Sequence, residues 1–214
     1  MNARTLRYFT IADLTLLPAF ILWFIWQLQF TARWTWMISL AWIIFSFAAH
    51  RDTPKTLGWR ADNLWPATRQ ALVYFGIMIL GLLAIGAMLH SPPRVPPNLV
   101  SWHRLWSYFA FCVLQQVLLN SLVHNRMLSL VSRQFIAAIL TGLIFAACHW
   151  PNPVLVPLTF FGGTAMAWMF SRQRNIIPLA IGQAILGSLI FWAFPVAWHH
   201  HLRVGPGYYS AGPR

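Results

Sequence analysis

The sequence predicts an all-α fold: a polytopic transmembrane helix bundle of about seven spans, within a range of six to eight, forming one integral membrane domain over residues 1–214. Three observations predict it. The chain is 58% hydrophobic and 8% charged with a mean hydropathy of +0.59, which leaves too little polar surface for a water-soluble domain. Apolar runs recur along its whole length, separated by short polar or proline-rich connections. Tryptophans gather where these runs begin or end, among them Trp34, Trp36, Trp65, Trp102, Trp106, Trp150 and Trp198, as anchors at the headgroup level do.

Taken in order, the first run, 10–30, is long and lacks a small-residue cleavage site, so it reads as a retained anchor. The second covers 34–49. The connection "HRDTPKTLGWRADNLWPATRQAL", residues 50–72, alternates Trp and Leu with Arg and Asp and is expected to lie on the inner membrane surface. The third run, 71–89, leads into "HSPPRVPPN", 90–98, too rich in proline to be helical throughout and expected to form a stiff outer loop. The fourth, fifth, sixth and seventh runs cover 103–123, 134–150, 154–170 and 176–198. Several are shorter than the roughly 20 residues of a full span. The tight turn in "HWPNP" is therefore expected inside the bundle, where protein shields its backbone from lipid. Gly162, Gly163 and Ala167 in the sixth run suit close helix packing.

Charge narrows the function classes. The formal charge is +12 because acids are nearly absent: there is no glutamate, and the aspartates are Asp13, Asp52 and Asp62. The arginines are dispersed rather than gathered on a folded basic module, which excludes nucleic acid and favours membrane lipids with anionic headgroups as partners. With the N-terminus inside, the inner connections hold ten Lys and Arg and the outer ones five, so the N-inside orientation is expected, in a bacterial cytoplasmic (inner) membrane. Asp13, at the start of the first run, reads as a first-turn carboxylate favourable to the helix dipole. Cys112 and Cys148 read as small apolar residues rather than a disulfide. His199, His200 and His201 cannot converge on one ion from a regular helix and read as an exposed interfacial cluster. No cofactor and no metal site are expected.

Polar groups inside the later runs stand out because such positions are expensive in lipid. The fourth run carries Gln115, Gln116 and Asn120, the fifth ends in "FAACHW" with His149, and the seventh has Gln183 in "PLAIGQAILG". Residues 116 and 120 share a helix face, whereas 115 is turned by about 100° from 116. Amides at such sites commonly join helices by hydrogen bonds.

In order and spacing these residues resemble the CPBP family of intramembrane proteins, which includes type II CAAX prenyl endopeptidases and bacteriocin-processing enzymes. Its pattern is a glutamate pair with an arginine beyond it, then F-x-x-x-H, then a last element with His and Asn four apart. Gln115, Gln116 and Asn120 stand at the positions of the glutamates and the arginine. Phe145 and His149 match the second element, while Gln183 and Gly187 fall where the last His and Asn would be. The resemblance covers about 50–190. It implies a membrane bundle whose glutamates would activate water, with the histidines positioning it and stabilising the oxyanion. An amide cannot serve as a general base near neutral pH. The resemblance thus implies a hydrolytic site without its charge, with His149 as the one catalytic candidate. The expected function is a membrane protein lacking glutamate-dependent proteolysis that binds a lipid, a hydrophobic or prenylated peptide, or another membrane protein in the former cavity. The alternatives are an endopeptidase or other enzyme working through His149, and a small transporter; against the last stands the absence of repeats and of charges within the runs.

Overall fold

The computed structural model describes residues 2–89, 96 and 99–210, and among these the regular structure is entirely helical. Seven apolar helices correspond to the seven runs. The first, α1, starts at Ala3, capped by Asn2 whose Oδ1 accepts from Thr5 N at 2.8 Å, and runs through a π-helical stretch at Phe24–Leu28 to Thr31. The others are α2 (Trp36–Ala49), α3 (Leu64–Met88), α4 (Trp102–Gln116, continuing through a π-helical stretch Val117–His124 to Leu130), α5 (Gln134–Ala147), α6 (Leu155–Arg172) and α7 (Ile176–Ala193). Four of them, α1, α3, α4 and α7, are long and apolar enough to cross a membrane. Outward-facing residues such as Ile77 and Leu80, exposed by 67% and 68%, would be costly in water and are at home in lipid. The chain is an integral membrane protein built as an all-helical bundle.

Two apolar clusters organise the packing. The larger joins Ala71, Phe75 and Leu82 of α3, Leu119 of α4, Phe145 of α5, Met166, Met169 and Phe170 of α6, and Ile176, Leu179 and Leu186 of α7. The smaller joins Leu17 of α1 and Ile43 of α2 to Leu122 and Val123 of α4. Close helix approach rests on particular glycines. A Cβ on Gly142 of α5 would lie 2.7 Å from Phe160 O of α6, and one on Gly163 would lie 3.0 Å from the Phe145 ring. Gly162, by contrast, has nothing within 4 Å and takes no part in this contact. On α7, Gly182 faces the Phe75 ring and Gly187 faces the Tyr108 hydroxyl, which seats α7 against both α3 and α4.

Several expectations need correction. The first helix begins seven residues before the apolar run, so Asp13 lies well inside it, fully buried, and is not a first-turn carboxylate. The connection after α2 is in addition tied to the bundle through its backbone. Its Thr53–Thr56 capping box starts a short helix, Pro54–Leu57, which ends at Gly58 with φ +85°. Leu57 O then accepts from Ser121 Oγ at 2.5 Å and Thr56 O from Asn125 Nδ2 at 2.8 Å, both on α4. Gly58 O accepts from Ile176 N at 3.1 Å, and Arg60 O from Asn175 Nδ2 at 2.7 Å, at the start of α7. Backbone polar groups of this segment find protein partners while most of its side chains stay exposed. His199 is fully buried, not exposed, while His200 stacks on Tyr208 with ring centroids 4.1 Å apart. The proline-dense stretch 90–98 lies, except for Pro96, outside the described residues.

Candidate functional site

The polar face of α4 is prepared locally. Ser101 caps the helix by accepting from Arg104 N at 3.4 Å, and the α-helical turns then place Gln115 and Gln116 side by side before the π-helical stretch begins. Gln116 and Asn120 are both fully buried, and Asn120 Nδ2 donates to Gln116 Oε1 at 2.5 Å, as their spacing of four predicts. Gln183 of α7 closes the arrangement. Its Oε1 accepts from Gln116 Nε2 at 2.6 Å, and its own Nε2 donates to Gln115 Oε1 at 2.5 Å. One carboxamide thus reaches both glutamines despite the rotation between them.

The result is a directed chain of four amides: Asn120 to Gln116, Gln116 to Gln183, Gln183 to Gln115. Its direction is fixed by a sulfur. Gln116 Nε2 also lies 3.0 Å from Met166 Sδ, and a thioether accepts but cannot donate, so the atom between Met166 and Gln183 is the nitrogen. Gln116 Oε1 then faces Asn120, which must answer with its amide nitrogen. Asn120 Oδ1 is left buried with no hydrogen-bond partner among the described residues. Carboxylates could not build this chain, because each link needs a donor as well as an acceptor.

His149 and Gly187 stand apart from the chain. His149 follows the end of α5, and its Nδ1 donates to Phe145 O at 2.7 Å, leaving Nε2 as the basic nitrogen. The Phe145 ring meets the imidazole edge-on with centroids 4.6 Å apart. Among the described residues no hydrogen bond links His149 to an amide. Phe145 is the nearer connection, since it shares the large apolar cluster with Leu119 and Met166. Gly187 is a packing position: a Cβ there would meet Tyr108 Oη at 1.8 Å. The turn after His149 is sunk at Asn152, which is fully buried, caps α6 by accepting from Val154 N and Leu155 N at 3.1 and 3.0 Å, and donates to His199 O and Arg203 O at 2.8 and 3.0 Å. An apolar cavity of about 390 Å³ lies between this turn and the C-terminal segment, bounded by Pro153, Pro157, Leu158, Phe194, Trp198 and Tyr208.

Two buried polar clusters have no counterpart in the sequence expectations. Arg126 donates from Nε to Asp13 Oδ2 at 3.1 Å and from a terminal nitrogen to Asp52 Oδ2 at 2.6 Å and Ser46 Oγ at 3.0 Å. Ser46 Oγ and Trp42 Nε1 donate to the two oxygens of Asp13 at 2.6 and 2.8 Å. His50 lies 3.9 Å from Asp13 and bonds Thr10 Oγ1 at 3.0 Å. The cluster pins α1 and α2 to the end of α4. In the second, His124 of α4 bridges Thr141 of α5 and Ser171 of α6. The sequence carried one signal for His124, since it continues the spacing of four that links residues 116 and 120.

Residues 97–189 match the family model described as type II CAAX prenyl endopeptidase, Rce1-like. No curated protein and no solved structure matches the chain.

Proposed function

Since its residues 97–189 make the chain a member of the CPBP family of type II CAAX prenyl endopeptidase-like membrane proteins, we propose that it is a member without glutamate-dependent proteolysis that uses its interior to bind an apolar partner, a hydrophobic peptide segment or a lipid. The observation that carries this reading is the amide chain. The positions corresponding to the family's glutamates are spent on holding α4 to α7, and no carboxylate stands in the chain to take a proton from water. Asn120 Oδ1 supports the binding half. A buried acceptor without a donor costs stability on the order of 1–3 kcal/mol, and a peptide N–H, a lipid hydroxyl or a held water would relieve it. The N-inside orientation and the bacterial cytoplasmic membrane belong to this proposal.

The test is native mass spectrometry of the full-length protein released from detergent, followed by identification of any retained lipid or peptide. A retained species that is lost in Asn120→Leu, with the melting temperature of that variant unchanged or raised, supports the reading. Wild type stripped of every lipid and peptide yet unchanged in melting temperature on their re-addition overturns it.

A further inference from the structure

A serine and a buried histidine lie together outside the amide chain, and the inference drawn from them does not depend on the function proposed above. Ser171, the penultimate residue of α6, is half-buried, and its Oγ lies 2.7 Å from Nε2 of His124. His124 is fully buried, with Nδ1 3.0 Å from Thr141 Oγ1. The Thr141 hydroxyl hydrogen is committed to Ala137 O at 2.8 Å. Its oxygen is therefore the acceptor towards His124, so Nδ1 carries the imidazole hydrogen and Nε2 presents its lone pair to the serine. The Ser171 hydrogen has two acceptors, His124 Nε2 at 2.7 Å and Ala167 O at 3.1 Å, and the imidazole is the nearer.

A histidine that merely bridged helices would be served by either tautomer. Here Thr141 selects the one whose basic nitrogen faces Ser171, and of the three only Ser171 is not fully buried. A hydroxyl bonded to a basic nitrogen, on a ring oriented by a third group, is the arrangement that activates serine as a nucleophile. The surroundings point to the substrate. Ser171 lies one residue from the end of α6 and is followed by Arg172 and Arg174, and the Arg172 guanidinium lies 5.7 Å from the centroid of the Trp168 ring. Cations beside an aromatic at a helix end suit an anionic headgroup.

We infer that Ser171 and His124 form a nucleophile and base, with Thr141 as the positioning residue, that act on a carboxylic ester of an anionic lipid at the membrane surface. In the first step Ser171 Oγ bonds to the carbonyl carbon, His124 Nε2 takes the hydroxyl proton, the ester C–O bond breaks and the leaving alkoxide receives that proton. In the second, water attacks the acyl-serine, gives its proton to Nε2, and the Ser171–acyl bond breaks with return of the proton to Ser171. The products are a carboxylic acid and an alcohol.

The experiment treats the full-length protein in micelles with a fluorophosphonate probe and maps the adduct by mass spectrometry. In parallel, fatty acid release is followed from vesicles of phosphatidylglycerol. The expected result is an adduct on Ser171, absent in Ser171→Ala, slowed at least tenfold in His124→Gln, slowed in Thr141→Val and restored in Thr141→Ser, with Gly162→Ala labelled like wild type. Fatty acid release follows the same order. Ser171→Ala leaves the buried His124 Nε2 without its hydroxyl partner, so a modest fall in melting temperature is expected, and labelling is compared below the melting temperature of every variant. No adduct on the wild type, an adduct that persists in Ser171→Ala, or equal labelling of a folded His124→Gln overturns the pair. An adduct without fatty acid release overturns the lipid ester.

Discussion

Gln116 of α4 donates to Gln183 of α7 at 2.6 Å, and through this bond and its return to Gln115 a single carboxamide on one helix serves two on another. Carboxamides are self-complementary where carboxylates repel, and that difference lets four amides join two helices. The interhelical bond is therefore a structural strut.

Removing the strut should cost stability. Gln183→Leu leaves Gln116 without its acceptor and Gln115 without its donor, at a cost of about 1–3 kcal/mol. For a chain of this size each kcal/mol corresponds to roughly 2–4 °C. Thermal melts in detergent are expected to show a loss in that range, and a melt equal to wild type would mean that the amides are satisfied elsewhere.

The Arg126 cluster should be far more sensitive. Arg126→Met abandons Asp13 and Asp52 in a buried setting, and breaking such a pair from one side costs about 3–5 kcal/mol. Combining it with Asp13→Asn should recover part of the loss, because one buried carboxylate is then gone. Melts of the two single variants and the double variant give the coupling, and strict additivity would count against a shared network.

Glycine substitutions should separate contact from open space. Gly142→Ala pushes a methyl against the Phe160 and Thr164 backbone, which cannot rotate away, and is expected to cost about 1–3 kcal/mol. Gly162→Ala meets nothing and is expected to be neutral or slightly stabilising. Equal effects at the two positions would contradict the packing of α5 on α6.

One pH dependence can be stated for the connection between α2 and α3. Arg60 lies against Asp62 with a nitrogen to oxygen distance of 2.5 Å, and its hydrogen bond holds the Asp62 carboxyl below the usual carboxylate range. A depressed folded-state value means that the contribution is present above the ordinary carboxylate range and disappears as pH falls through the folded value. The pair is solvent-exposed, so the effect is small and screened by salt. The difference in melting temperature between wild type and Asp62→Asn should appear at neutral pH and low salt, then vanish on acidification or in high salt.

Hydropathy made the helices legible, since each apolar run became a helix, and the spacing of Gln116 and Asn120 made their shared face legible as well. Helix starts were not, because α1 and α3 extend into polar sequence ahead of their apolar runs, α1 from its Asn2 cap and α3 from Leu64. Partners distant in sequence were also hidden. Arg126 looks like a loop cation near the end of an apolar run, and nothing local announces a bond to Asp13, 113 positions away. Asp13 in turn looks like a helix-start acid until the true start of α1 is known. The Ser171–His124 pair shares this character, because its members stand on different helices and each is unremarkable alone.

The most direct test of the proposal that the protein lacks glutamate-type hydrolysis incubates the full-length protein in micelles with a farnesylated CAAX peptide and follows release of the C-terminal fragment by mass spectrometry. An amide chain without a carboxylate predicts no release above the protein-free background. Multiple-turnover release by wild type that is abolished in Gln116→Leu and retained in Ser171→Ala would contradict it.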